Sequence, residues 1–170
     1  EGTVSQNKVL LHAFQYAKIQ QKKAHFMGLV SDGGVHSHLN HLLGLCDAAQ
    51  NFGLDKVYVH AFMDGRDTDP KSGEGFIKTL LDHISGSSVK LASMVGRYFA
   101  MDRDKRWERI KKAYDLMVHG TGVHSTDPLK SLTESYSKGI TDEFLEPLLC
   151  DANGLIESGD VVINKNFRTD

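Results

Sequence analysis

Three short apolar runs, at 24–30, 56–63 and 89–95, each give way within about a dozen residues to apolar positions at helical spacing. After the first run the stripe is Leu39, Leu42, Leu43, Cys46, Ala49 and Phe52. After the second it is Phe76, Ile77, Leu80, Leu81 and Ile84, and after the third Trp107, Ile110, Tyr114, Met117 and Val118. Runs of strand length alternating with amphipathic helices restrict a chain to few solutions. The most economical is a mostly parallel sheet, its strands joined by right-handed crossovers, with helices on both faces. The expected fold class is therefore α/β.

The punctuation agrees with that reading. Leu10, Leu11, Phe14 and Ala17 predict a helix over 7–20 with Asn7 as its N-cap, and Gly53 stands where a helix C-cap belongs. Asp127-Pro128 opens a shorter helix to about Lys138. Further on, Leu145 to Cys150, Asp151-Ala152-Asn153-Gly154 and Leu155-Ile156 predict a small antiparallel hairpin near the C-terminus, with Asn-Gly at its turn. A last strand is expected over 160–166. At 170 residues, with no low-complexity linker and no internal repeat, residues 1–170 read as a single domain.

In a parallel sheet the carboxyl ends of the strands share one edge, and ligands bind there. Four strands here run out into loops rich in charge: Ser31-Asp32-Gly33-Gly34-Val35-His36, Asp64-Gly65-Arg66-Asp67, Gly96-Arg97 through Asp102-Arg103-Asp104, and Asn166-Phe167-Arg168. His36, Arg66, Arg97, Arg103 and Arg168 are thus expected to converge with Asp32, Asp64 and Asp67. Arginine recognises phosphate and carboxylate through two parallel N–H groups, and glycine lets backbone amides approach an anion. The set suits a doubly anionic ligand such as a phosphorylated carboxylic acid.

Other classes lack support. The net charge of −2 supplies no general attraction to nucleic acid or to an anionic membrane, so an anion site must be local. Lys105-Arg106 with Arg109 to Lys112 reads as a solvated helix face. His36, His38 and His41 have no cysteine or carboxylate at a recognised zinc spacing, so no metal site is expected in this chain. Neither a P-loop nor a Gly-x-Ser-x-Gly elbow occurs. No apolar run nears the ~18 residues of a membrane span. Cys46 and Cys150, each among leucines, read as buried thiols rather than a disulfide framework, and a reducing cytoplasm is the expected setting.

The loops also carry longer motifs. Leu29-Val30-Ser31-Asp32-Gly33-Gly34-Val35-His36-Ser37-His38, Asp64-Gly65-Arg66-Asp67 and Gly96-Arg97-Tyr98-Phe99-Ala100-Met101-Asp102-Arg103-Asp104-Lys105-Arg106-Trp107 resemble cofactor-independent phosphoglycerate mutase, in order and over essentially the whole chain. The resemblance covers one of that family's two domains, the phosphotransferase domain. It implies interconversion of 3-phosphoglycerate and 2-phosphoglycerate by a monomeric enzyme. A serine and two divalent metals, manganese in the usual case, belong to a phosphatase domain that this segment lacks. Carried over by motif, His36, Arg66, Asp67, Arg97, Arg103 and Arg168 are expected to bind substrate, with Asp67 as general acid/base. The family motif at Arg168 continues to a second arginine past Asp170. The expectation is a separately expressed domain that folds without turning substrate over; the alternative is a stand-alone phospho-metabolite-binding module without catalysis.

Overall fold

The computed structural model describes residues 4–168, so Thr169 and Asp170 lie outside the described residues. Helix α1 (Lys8–Ile19) precedes strand β1 (Ala24–Leu29), and α2 (Leu39–Phe52) leads to β2 (Val57–Met63). Helix α3 (Gly73–Ile84) leads to β3 (Val89–Gly96). A short helix α4 (Arg97–Ala100) and α5 (Trp107–His119) follow, then β4 (Val123–His124), α6 (Pro128–Ser137), β5 (Leu148–Leu149) and β6 (Val161–Asn164). The sheet order is β4-β5-β3-β2-β1-β6. All pairings are parallel except β3 with β5, where Ser93 faces Leu149 and Met94 faces Leu148.

Local signals explain most boundaries. The Asn7 side chain accepts from the Val9 and Leu10 amides at 3.0 and 3.2 Å, satisfying donors a helix start leaves unpaired. Gly53 ends α2 in the left-handed region at φ 82°, where a Cβ is disfavoured. The Asp127 carboxylate accepts from the Lys130 amide, and Pro128 opens α6.

Both faces of the sheet are covered. Phe26, Val57, Val59, Ala61, Val89 and Met94 meet the buried stripes of α1, α2, α3 and α6. Leu29, Phe62 and Val95 meet Phe99 of α4 and Ala113 and Leu116 of α5. Burial on both faces is why these strands read as continuous rather than alternating apolar runs. Cys46 and Cys150 are free thiols, each pushed up to about 12 by burial.

The predicted hairpin is absent, and this corrects the sequence reading. Leu148–Leu149 does run antiparallel, but its partner is β3. Asn153 and Gly154 lie in a 3-10 turn, Ala152–Gly154, and neither has the positive φ that an Asn-Gly hairpin turn requires. Gly154 answers a different need: a Cβ there would lie 2.5 Å from Ala92 Cβ and 2.6 Å from Tyr58 Cδ1. Leu155 and Ile156 form no strand; the Ile156 amide donates to the Met117 carbonyl of α5.

The apolar runs also conceal a polar line. Asp160 Oδ2 lies 2.9 Å from His25 Nε2, His25 Nδ1 3.0 Å from His60 Nε2, and His60 Nδ1 2.7 Å from Ser93 Oγ. This chain crosses β1, β2 and β3 in a buried layer. Burial, with the neighbouring His25, lowers His60 to about 3; burial also lowers His25, outweighing Asp160. Both rings fold neutral, whereas an unfolded histidine takes its proton near pH 6.5. Their contribution to stability is therefore complete above about pH 6.5 and is lost as pH falls, for His60 toward about 3.

Two outcomes follow from the packing. Stability from urea unfolding should fall between pH 7 and pH 5, by about 1.4 kcal/mol per pH unit for His60 once below the unfolded value, with His25 adding in the same direction; equal stability would contradict neutral burial. Gly96→Ala should cost about 3 kcal/mol in thermal or urea unfolding, because its Cβ would stand 2.1 Å from the Glu143 carbonyl oxygen, which belongs to backbone and cannot rotate away.

Candidate functional site

The carboxyl ends of β1, β2, β3 and β6 lie on one edge, and the four charged loops leave from it. At the end of β2, Asp64 is almost wholly buried and gathers four donors. These are Ser31 Oγ at 2.6 Å, Arg97 Nη1 at 2.8 Å, and the Asp67 and Arg66 amides at 3.0 and 3.2 Å. Burial works to raise this carboxyl, but the Ser31 hydroxyl, the two amides and Arg97 outweigh it and hold it below its ordinary range. Arg97, 5% exposed at the start of α4, donates from the same Nη1 to Asp67 Oδ2 at 2.6 Å. His36 Nε2 stands 3.8 Å from that Asp67 oxygen.

Beyond Arg97 opens a cleft of about 340 Å³ lined by Arg66, Arg97, Tyr98, Met101, Asp102, Arg103, Asp104, Arg109 and Glu143. Three of the predicted arginines therefore meet in one cavity. Asp67 and His36 sit behind Arg97. Arg168 does not line the cleft: it is exposed on the His36 side, one residue after Phe167, whose amide donates to the His36 carbonyl. Asp32 is exposed on its loop and also lies outside the cavity lining. The two flanking loops touch, since a Cβ on Gly33 would approach Asp67 Cβ to 3.1 Å.

Buried Lys165, at the exit of β6, fastens the His36 loop. Its ammonium donates to the Leu29 carbonyl and to Ser37 Oγ, and burial lowers it to about 8. Asn166 Oδ1 accepts the Leu29 amide at 3.0 Å. The segment bearing Arg168 is thus bolted to the one bearing His36.

Some cleft residues were not visible in the sequence. Glu143 reaches Arg66 Nε at 3.3 Å from a 3-10 turn, Asp142–Phe144, far along the chain. That turn is pinned by Asp142, whose carboxylate accepts from the Gly73 amide and Tyr136 hydroxyl. Arg109 corrects the reading of its segment as a solvated helix face. Its side chain is mostly buried, pairs with Asp102 at 2.8 Å and Asp104 at 3.1 Å, and lies over the Tyr98 ring at 4.0 Å. No local signal separates Arg109 from Arg106, which does lie in solvent with Glu108.

The arrangement is a cationic rim on a parallel α/β sheet: guanidinium forks line a cleft, with a carboxylate held against one of them. Among the described residues no group of three or more His, Cys, Asp or Glu side chains is placed to hold a metal ion. The chain belongs to the family described as BPG-independent PGAM N-terminus (iPGM_N), whose pattern matches residues 1–170. It is 61% identical, over 99% of its length, to a 2,3-bisphosphoglycerate-independent phosphoglycerate mutase of Flavobacterium johnsoniae. With the protein of the same name from Bacteroides thetaiotaomicron it shares 53% over its whole length. In each case it spans only 34% of the relative. A crystal structure of Leishmania mexicana phosphoglycerate mutase superposes on 99% of the chain with a TM-score of 0.91 at 29% identity, and the match covers 33% of that protein.

The burial contrast sets an expected outcome. Arg97→Ala should cost about 3–5 kcal/mol in urea unfolding, because it strands the buried Asp64 carboxylate. Arg106→Ala, which removes an exposed pair, should cost no more than about 1 kcal/mol.

Proposed function

We propose that this chain is the substrate-holding phosphotransferase domain of a 2,3-bisphosphoglycerate-independent phosphoglycerate mutase, an isomerase that interconverts 3-phosphoglycerate and 2-phosphoglycerate. The observation that carries the reading is the cleft with Arg66, Arg97 and Arg103 on its wall and Asp67 against Arg97, in a chain of that family. Arg66, Arg97, Arg103 and Arg168 grip carboxylate and phosphoryl oxygens, which planar guanidinium groups match in pairs. His36 adds a further polar contact beside Asp67.

Asp67 is the group proposed to move the proton. When a phosphoryl group leaves one glycerate hydroxyl oxygen and the other hydroxyl later receives it, one oxygen must gain a proton and the other lose one. A single carboxylate within reach of both hydroxyls does both jobs. The arginines offset negative charge that builds on the transferring group. The rest of the enzyme, a phosphatase domain of the same monomeric chain, is proposed to supply the serine that carries the phosphoryl group between the two positions. That domain is also proposed, by resemblance alone, to hold two divalent metals, manganese in the usual case. The cytoplasm is the proposed working setting, by resemblance.

The test is an NMR titration of the 170-residue chain with 3-phosphoglycerate and, separately, with inorganic phosphate. Shifts should be larger for the phosphoglycerate and cluster at His36, Arg66, Asp67, Arg97 and Arg103, with weak affinity, Kd about 1 mM. Arg66→Ala should abolish them. Equal responses to both anions would indicate a general anion site instead. The chain alone should show no mutase turnover; activity in a preparation free of host enzyme would overturn the division of labour.

A further inference from the structure

Asp64 does not line the cleft, yet the Asp67 amide and the arginine that pairs with Asp67 are both held by it. Its Oδ1 accepts the amides of Arg66 and Asp67, so it fixes the backbone that aims both side chains. The same oxygen accepts from Arg97 Nη1 at 2.8 Å, while that nitrogen donates to Asp67 Oδ2 at 2.6 Å. Ser31 Oγ closes the remaining side at 2.6 Å. One guanidinium nitrogen is thus divided between two carboxylates, Asp64 fully enclosed and Asp67 partly open to solvent.

That division bears on chemistry. A carboxylate paired alone with an arginine loses basicity, because the cation favours its charged form. Asp67 has to take and return a proton, so an undivided Arg97 would leave it a poor base. The other ionisable groups around the pair are His36 on the β1 loop, 3.8 Å from Asp67 Oδ2, and Asp142, which burial raises above the usual carboxylate range and the Asp64 charge raises further. We propose that Asp64 is the positioning residue of this site: it holds Arg97 in place and takes part of its charge, so that Asp67 stays basic enough to exchange a proton with the ligand. This rests on Asp67 being the acid/base group of the proposed mutase reaction.

The experiment is a pH titration of the Asp67 side-chain carboxyl carbon by NMR in the 170-residue chain, assigned by loss of its signal in Asp67→Asn. Asp64→Asn keeps an oxygen acceptor but removes the charge. It should move the Asp67 midpoint down by about one pH unit, whereas Asp64→Glu should leave the midpoint within a few tenths of wild type. An unmoved midpoint in folded Asp64→Asn overturns the proposal and leaves Asp64 a purely structural acceptor. If Asp64→Asn does not fold, the wild-type order decides. Asp64 should lose its proton before Asp67 as pH rises, and the reverse order overturns the charge division.

In a full-length protein carrying this segment, Asp64→Asn should lower kcat at least about tenfold with little change in KM, and should shift the acid limb of the kcat profile toward lower pH. A fall in kcat that tracks only the folded fraction, with the limb unmoved, also overturns it. The carbon titration needs no turnover. A full-length wild type inert toward phosphoglycerate would therefore defeat the functional reading while leaving the Asp64–Arg97–Asp67 coupling measurable.

Discussion

The Arg97 guanidinium, shared between Asp64 and Asp67, is the contact on which the rest of the rim depends. Buried charges persist only when they are paired and hydrogen-bonded, and here each partner meets that condition through a different piece of chain. Ser31 comes from the end of β1, Asp64 and Asp67 from the end of β2, and Arg97 from the end of β3. A parallel sheet makes the meeting possible, since it delivers three strand ends to one edge with a spacing of roughly 5 Å between neighbours. Any rearrangement of strand order would pull the three apart.

Close backbone approach is the second constraint. The segment at 141–145 is threaded against the loops after β2 and β3, and three glycines mark its path. A Cβ on Gly65 would lie 2.9 Å from the Glu143 amide, one on Gly73 2.6 Å from an Asp142 carboxylate oxygen, and one on Gly96 2.1 Å from the Glu143 carbonyl. Gly65 alone of these also has a positive φ, at 65°. The other two serve proximity rather than turning. Through this path Glu143 arrives at Arg66 without any signal in its own neighbourhood.

Three of the cleft's arginines are held by the protein's own carboxylates. Arg97 is satisfied by Asp64 and Asp67, Arg66 by Glu143, and Arg109 by Asp102 and Asp104. Such pairing preorganises the cations, which is worth more than raw contact area when an anion binds. It also means that an incoming anion at Arg66 competes with an internal carboxylate. Arg66 is 57% exposed and Arg97 only 5%, so the first is free to exchange partners while the second is a fixture.

Sequence alone determined the layers and the edge. Period and punctuation located the three central strands, their helices and the caps at Asn7, Gly53 and Asp127, because these depend on interactions within about four residues. The motifs at Asp64-Gly65-Arg66-Asp67 and Gly96-Arg97 marked the loops that form the rim. Only the tertiary structure decided which charges are fixtures and which face the cleft. Arg97, Arg103, Arg106 and Arg109 look alike in sequence, and their burial depends on distant partners. The same holds for Asn153-Gly154, whose turn chemistry yields to packing against Ala92 and Tyr58, and for His25 and His60, which read as strand residues and pair across the sheet. Local signals are short-ranged by nature. Pairing of buried charge is set by residues dozens of positions away, and no spacing along the chain encodes it.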